Sequence, residues 1–339
     1  MWKKLSHVEH ILCRPDSYIG SLARETVEHW VPTDTTPVHF VRRATHVSPG
    51  LLKIFDEVLV NAIDQHSLKK TTRIDVTIQD DVFSVRNNGD GIPLSVHTET
   101  QVRIPELIFG HLLTSSNYDD AEERTTGGRN GYGAKLTNVY STKFNVRILH
   151  KNQKYVQKWS RNMSVCEPAT ITSLAQKGGY VDIEFQPDWS RFEGGKAQLG
   201  DFVALVTKRV WDAAACCPKC HVYLNGVRFE VKSLEDYARM HIGDVPLATL
   251  GHDIVVGHST TGLFQHISFV NGISTTQGGT HVERFVSQLV PKIASGVRPA
   301  QVRASLFVMM RSTIVNPTFS SQTKTECTSK VTTEYEFKP

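Results

Sequence analysis

Lys53-Ile54-Phe55-Asp56-Glu57-Val58-Leu59-Val60-Asn61-Ala62-Ile63-Asp64 is the stretch on which the reading of this chain turns. Ile54, Phe55, Val58, Leu59, Ala62 and Ile63 recur at helical spacing, which predicts a helix over 51–66. Ser48 suits its N-cap and Pro49 its first turn. Glu57, Asn61 and Asp64 fall at i, i+4 and i+7 and share one face of that helix. A carboxylate and an amide oxygen one turn apart can serve a single small site: Glu57 to deprotonate a water, Asn61 to offer a hard oxygen to Mg2+. Taken alone, the same pattern also describes the solvated face of an ordinary helix.

Outward from that helix, Ile74, Val76 and Ile78 alternate, Asp80-Asp81 turns the chain, and Phe83 and Val85 resume, which predicts a hairpin. It runs into Asn87-Asn88-Gly89-Asp90-Gly91-Ile92-Pro93, a segment no regular element accommodates. Gly89 and Gly91 bracket one residue and let backbone approach a flat ligand. The Asn87 amide carries a donor and an acceptor that match the edge of adenine. In isolation the segment is a polar turn. Residues 105–113 are predicted helical and 114–126 a polar loop. Gly127-Gly128-Arg129-Asn130-Gly131-Tyr132-Gly133-Ala134-Lys135 then leads glycine-rich backbone into a helix over 134–140, presenting N–H groups to phosphate. It is not a P-loop, because Ala134 follows Gly133, nor the dinucleotide fingerprint, whose third glycine is missing. A flexible linker has no reason to carry Arg129, Asn130, Tyr132 and Lys135 among its glycines.

Further along, the pattern predicts a strand over 181–185, a helix over 202–215, and a strand over 222–224 closed by an Asn225-Gly226 turn. A Gly/Pro-containing stretch over 243–251 marks a domain boundary. A strand over 267–270, a helix over 282–293 and a strand over 304–310 follow.

The order of the three motifs, E-x3-N-x2-D on a helix, N-N-G-x-G-I-P after a strand, and a glycine-rich loop into a helix, resembles the Bergerat nucleotide-binding fold. That fold is shared by type II topoisomerases, MutL mismatch-repair proteins, heat-shock chaperones and histidine kinases. Longer phrases look like eukaryote-type DNA topoisomerase II: Glu9-His10-Ile11-Leu12, Arg14-Pro15-Asp16-Ser17-Tyr18-Ile19-Gly20-Ser21, Leu113-Thr114-Ser115-Ser116-Asn117-Tyr118-Asp119-Asp120, and Asn316-Pro317-Thr318-Phe319-Ser320-Ser321-Gln322-Thr323-Lys324. The resemblance covers essentially the whole chain. It implies an α/β (α+β) fold: a Bergerat-type GHKL ATPase sandwich with a short N-terminal arm over 1–243, then a transducer of ribosomal-protein-S5-like topology over 244–339, stopping within that domain.

The same resemblance implies roles. Glu57 would be the general base and Asn61 the Mg2+ ligand, with Asp64 beside them. Asn87, with Gly89 and Gly91, would hold adenine. Ser115, Ser116 and Asn117 would contact ribose and phosphates. Gly128, Arg129, Asn130, Gly131, Tyr132, Gly133, Ala134 and Lys135 would wrap the triphosphate of ATP. Gln322, Thr323 and Lys324 would reach in from the second domain, Lys324 as a catalytic cation on the γ-phosphate. ATP would join two copies as a homodimeric gate around double-stranded DNA, hydrolysis would reopen it, and a DNA-cleaving core would continue beyond this chain. Trp2 falls where the family's arm usually has a tyrosine. A MutL-type or chaperone-type clamp is the alternative, and it would lack the phrases at 114–120 and 316–324.

Bulk properties agree. A chain of 339 residues suggests about two domains. Apolar residues at 40% and charged residues at 21% exclude a disordered tail or a coiled coil. The balance of 38 basic against 34 acidic residues, +4, is too weak to argue alone for nucleic acid. No apolar run approaches the ~18 residues of a membrane span, no signal peptide is visible, and six cysteines suggest a reducing intracellular setting. The resemblance makes that setting nuclear for a cellular protein, or host cell or virion for a virus-encoded one. Cys217-Pro218-Lys219-Cys220-His221 imitates redox and haem motifs but lacks their context, and is expected to be a surface loop. His281 is expected to be structural, and Arg298, Arg303 and Arg311 to give the second domain a basic tint.

Overall fold

The computed structural model of the chain describes residues 4–68, 70–114, 123–127, 131–293 and 296–337. Helix α1 (His7–Cys13) is closed by a reciprocal cap, in which the Ser6 hydroxyl accepts the Glu9 N–H and the Glu9 carboxylate accepts the Ser6 N–H. Strands β1 (Glu25–Pro32) and β2 (Phe40–Val47) pair as a separate two-stranded sheet. Helix α2 (Pro49–Ser67) then matches the predicted periodicity, with Pro49 in its first turn. Ser48 stands at the N-cap, but its hydroxyl caps nothing; it donates to the Leu22 carbonyl, while Gln198 Oε1 accepts the Ser48 N–H.

The predicted hairpin is β3 (Arg73–Gln79) and β4 (Val82–Gly89), with Asp80 turning in left-handed backbone at φ 53°. Helices α3 (Ile104–Gly110) and α4 (Gly133–Val139) follow. The chain then adds β5 (Ser141–His150), β6 (Gln153–Ser160), β7 (Val165–Cys166), β8 (Thr170–Ser173) and β9 (Gly179–Pro187). Helix α5 (Leu199–Cys216) returns to β10 (His221–Leu224) and β11 (Val227–Phe229). Among the described residues these strands form a nine-stranded sheet ordered β11-β10-β3-β4-β9-β5-β6-β7, with β8 beside β6. Pairing is antiparallel except for β10 on β3, the point to which the α5 crossover delivers the chain. Helix α2 packs with α4 and α5. Its apolar row, Leu51, Ile54, Phe55, Val58, Leu59 and Ile63, joins Ile74, Val76, Phe83 and Phe202 in one core.

Helix α6 (Leu234–Ile242) is capped by Ser233, whose hydroxyl accepts the Asp236 N–H, and ends at Gly243 with φ 69°. A second sheet holds β12 (Leu247–Leu250), β13 (Ile254–His258), β14 (Gln265–Val270), β15 (Ile273–Ser274) and, after α7 (Thr280–Ile293) and α8 (Pro299–Ala304), β16 (Leu306–Ser312). The order is β12-β13-β16-β14-β15, with β14 and β16 parallel. The expected mixed α/β architecture is therefore present. The stretch read as a loose boundary contains the edge strand β12, and the turn of helix α8 replaces the start of the last predicted strand. Tyr237, Ala238 and Ile242 of α6 share a core with Phe269, Phe307 and Met309 of the second sheet and with Phe40 and Ala215 of the first unit. Helix α6 is thus the apolar joint between the two sheets.

Candidate nucleotide site

Glu57 sits in the middle of α2 at 4% exposure, so the solvated-face alternative does not hold. Two lysines face the same carboxylate oxygen. Lys53, one turn earlier, places Nζ 2.5 Å from Oε1; Lys324, from the segment after β16, places Nζ 3.7 Å from it. Burial by itself would raise the Glu57 pKa, but the charges of Lys324 and Lys53 outweigh it and hold the carboxyl at about 2. Lys324 also donates to the Gly127 carbonyl at 3.1 Å. Burial pushes the Lys324 ammonium below its ordinary value against the pull of Glu57. Lys324 holds left-handed backbone at φ 61°, an uncommon conformation for a side chain of this kind and one that clusters at functional sites.

The other carboxylate oxygen, Oε2, faces the start of α4. A Cβ added to Gly133 would overlap it, so the glycine makes room for the carboxylate. Asp64 is buried, and its Oδ1 accepts the Gly127 N–H at 2.7 Å, which anchors the entrance of the glycine-rich loop on α2. Asn61 lies between Glu57 and Asp64, half-buried. Lys135 is buried on α4 and donates to the carbonyl and hydroxyl of Thr114 at 2.5 and 2.6 Å. Burial pushes its pKa down to about 8. Its ammonium therefore stands at the residue that leads into Ser115, Ser116 and Asn117. Those three, with Gly128, Arg129 and Asn130 of the loop and with Trp2, lie outside the described residues. Gly131 (φ 64°) and the buried Ala134 belong to the loop's exit, and Tyr132 packs edge-on against Tyr18, which hydrogen-bonds His10.

At the end of β4, Asn87 is buried and its amide donates to the Thr71 hydroxyl at 3.1 Å. Asn88 Oδ1 accepts the N–H groups of Thr72 and Arg73. The glycines here answer first to the protein itself. A Cβ on Gly89 would come within 2.9 Å of the Lys70 carbonyl, and one on Gly91, at φ 73°, would overlap the Leu149 carbonyl. Gln322 and Thr323 lie partly buried beside Lys324, and a Cβ on Gly20 would meet the Thr323 methyl at 3.0 Å. The structure thus brings Glu57, Gly133, Gly127 and Lys324 together, with Asp64 at the loop entrance. Sequence reading missed Lys53, although its i, i+4 relation to Glu57 was visible, and Thr71, for which no signal existed.

Elsewhere two expectations change. Pro218, Lys219 and His221 are exposed where α5 connects to β10, as expected of a surface loop, but Cys217 is buried in the main core, where the last turn of α5 closes through the Cys217 N–H on the Ala213 carbonyl. Burial pushes the Cys216 and Cys220 thiols up to about 12, and no group of three metal-ligating side chains occurs among the described residues. The basic tint is largely cancelled: Arg303 pairs with Glu283 at 2.7 Å and Arg311 with Asp253 at 2.6 Å. His281 is buried, with Nε2 3.3 Å from the Thr275 hydroxyl, as a structural histidine should be. No helix among the described residues is long and apolar enough to cross a membrane.

The buried carboxylate of α2, the glycine that starts α4 and a cation from beyond the second sheet form one site, and the chain falls in the class of ATPase shared by histidine kinases, gyrase B and HSP90. The family model described as "Histidine kinase-, DNA gyrase B-, and HSP90-like ATPase" matches residues 46–185, and the one described as "DNA gyrase B" matches 232–335. The crystal structure of the ATPase region of Saccharomyces cerevisiae topoisomerase II superposes with a TM-score of 0.91 at 38% identity, covering 99% of this chain and 93% of that one. The ATPase and transducer domains of DNA topoisomerase II from Balamuthia mandrillaris give a TM-score of 0.91 at 38% identity, covering 99% and 92%. The chain belongs to the ATPase region of the type II DNA topoisomerases. The DNA topoisomerase 2 of Candida glabrata is 39% identical over 97% of this chain, which spans 26% of that protein. This chain therefore corresponds to about a quarter of the length of the curated relatives it matches. The wider class of clamps, MutL-type or chaperone-type, is not favoured.

Proposed function

We propose that this chain binds ATP with Mg2+, closes two copies into a gate, and hydrolyses the nucleotide so that a longer protein can pass one DNA duplex through another. The observation that carries the reading is the meeting of Lys324 with Glu57: a cation from beyond the second sheet rests on the carboxylate of the first. In the reaction, a water oxygen attacks the γ-phosphorus while Glu57 Oε2 accepts the water proton. The bond from the γ-phosphorus to the bridging oxygen breaks, and its electron pair leaves on ADP. A carboxyl held at about 2 is a weak base. Transfer of Lys324 from Glu57 to the γ-phosphate removes one of its two cations and raises its basicity where the substrate is complete.

Asn61 fits a divalent ion. Mg2+ keeps several waters and takes one or two protein oxygens together with substrate phosphates, and Asn61 lies half-buried one helical turn from Glu57. Asn61 would supply the protein oxygen, and the ion would neutralise phosphate charge. Asn87 would face adenine across Thr71, and Lys135 would add a cation at Ser115, Ser116 and Asn117. The division near residue 243 is kept, with α6 as its joint. The named relatives are eukaryotes, and of the settings considered the nucleus is the one we retain.

Light scattering without nucleotide and with a non-hydrolysable ATP analogue plus Mg2+ tests the gate. The expected result is a monomer that becomes a dimer; a nucleotide-bound chain that stays monomeric would sink the gate reading. Gly133→Ala tests the placement of Glu57. The added methyl displaces Oε2 by an ångström or so, and misplacement on that scale costs on the order of 10²-fold in rate. Phosphate release is expected to fall accordingly with the thermal midpoint shifted by only a few degrees. An unchanged rate would remove Oε2 from the chemistry.

A further inference from the structure

Lys53 is a lysine at 6% exposure on a row of α2 that otherwise meets the core. A buried ammonium is costly unless paired, so its position needs a reason. Its partner is Glu57 Oε1 at 2.5 Å, in the i, i+4 geometry of a helix, so both groups ride on one rigid element. The other cation on that oxygen, Lys324, belongs to a different segment, is farther away at 3.7 Å, and divides its donors between Glu57 and the Gly127 carbonyl. Helix α4 faces the remaining oxygen with Gly133, which carries no charge. The charged groups that act most on Glu57 are these two lysines, and Lys324 in turn feels Glu57, Lys53, Asp64 and Asp56.

We propose that Lys53 is the positioning residue of the general base: it clamps Oε1, leaves Oε2 aimed at the nucleotide loop, and stays as the resident cation when Lys324 leaves for the γ-phosphate. The inference rests on the reading of Glu57 as the base. One consequence is orientation, since an ion pair at one oxygen, made on the same helix, biases the carboxylate to keep its other oxygen toward Gly133. The other is charge, since a buried Glu57 without Lys324 and without Lys53 would be driven toward its neutral form, which cannot accept a proton.

The test is the pH dependence of ATP turnover by the whole chain carrying K53M, K53Q, K53R or E57Q. With K53M, kcat near neutral pH is expected to fall roughly 10- to 100-fold, within the range that general-base catalysis supplies, while KM for ATP changes little. The acid limb of the profile is expected to move to higher pH by about one unit or more, because the remaining carboxyl is easier to protonate. K53R keeps the charge and should return the limb toward its original position. K53Q, which retains a donor without the charge, should show the same shift and serves if K53M does not fold. An unmoved limb in K53M and K53Q, whether kcat is retained or lost, overturns the inference, because a merely structural lysine would not move it. E57Q separates the two readings. If E57Q still turns over ATP, Glu57 is not the base and the proposed function fails with it. If E57Q is inert while the lysine variants keep their limb, only the role of Lys53 fails.

Discussion

Lys324→Met is expected to lower ATP turnover by roughly 10³-fold, at the low end of what a single inserted cation contributes to phosphoryl transfer. Lys324 is buried and lies on both the Gly127 carbonyl and Glu57, at the entrance of the glycine-rich loop. Its backbone conformation at φ 61° is maintained by the surrounding segment, where the Lys324 N–H donates to Ser321 and the Cys327 N–H to Gly278. The variant should fold, because Glu57 keeps Lys53 as a partner and methionine fills most of the lysine's volume. Affinity for a non-hydrolysable analogue should change far less than turnover, since the lost interaction strengthens as charge develops. Steady-state phosphate release beside equilibrium binding decides the matter. Turnover within a few-fold of the parent chain would remove Lys324 from the reaction.

The second large effect concerns stability. Arg209→Met is expected to destabilise the chain by about 3–5 kcal/mol, the range for removing one partner of a buried ion pair. Arg209 Nε and Nη2 lie 2.7 and 2.6 Å from Asp56 Oδ1, and Nη1 lies 3.2 Å from Asp212 Oδ2. Asp212 also takes Lys208 at 2.6 Å and the Tyr237 hydroxyl at 2.8 Å. Burial disfavours the charge on Arg209, yet Asp56 and Asp212 hold its pKa well above the ordinary arginine value. Methionine would leave Asp56 without that cation, while Asp212 would retain Lys208. Urea unfolding measures the loss, and adding Asp56→Asn should recover part of it by removing the unpaired charge. A loss under about 1 kcal/mol would mean that the pair behaves as an exposed one. The same network ties α2, α5 and Tyr237 of α6 together, and Arg209 also reaches the Gly272 carbonyl beside β15. Damage here would therefore loosen the joint between the sheets as well as the fold.

Much of this architecture is legible in short windows of sequence. The apolar row of α2, the β3–β4 hairpin with its Asp80-Asp81 turn, and the long α5 each follow from spacing over a few turns or a few alternations, and periodicity is a local property. The phrases around Glu57, Asn87, Gly127 and Lys324 point to the family for the same reason: each motif is contiguous. Local reading is weakest where an element is short or marginal, as at β12 and α8, whose few residues carry too little pattern.

Tertiary structure decided which groups meet. No local pattern marks Lys53 or Arg209 as buried; both are buried only because other elements close over them. Gly89 and Gly91 look like space left for a ligand, yet the Lys70 and Leu149 carbonyls already require them to lack a side chain. Cys217 looks like part of a surface motif and is instead core. The sequence alone therefore determined the long helices and the hairpin, and pointed to the family and to Glu57 as the carboxylate of interest. Only the fold placed two lysines on one of its oxygens and a glycine against the other, because burial and charge pairing depend on contacts between residues far apart along the chain.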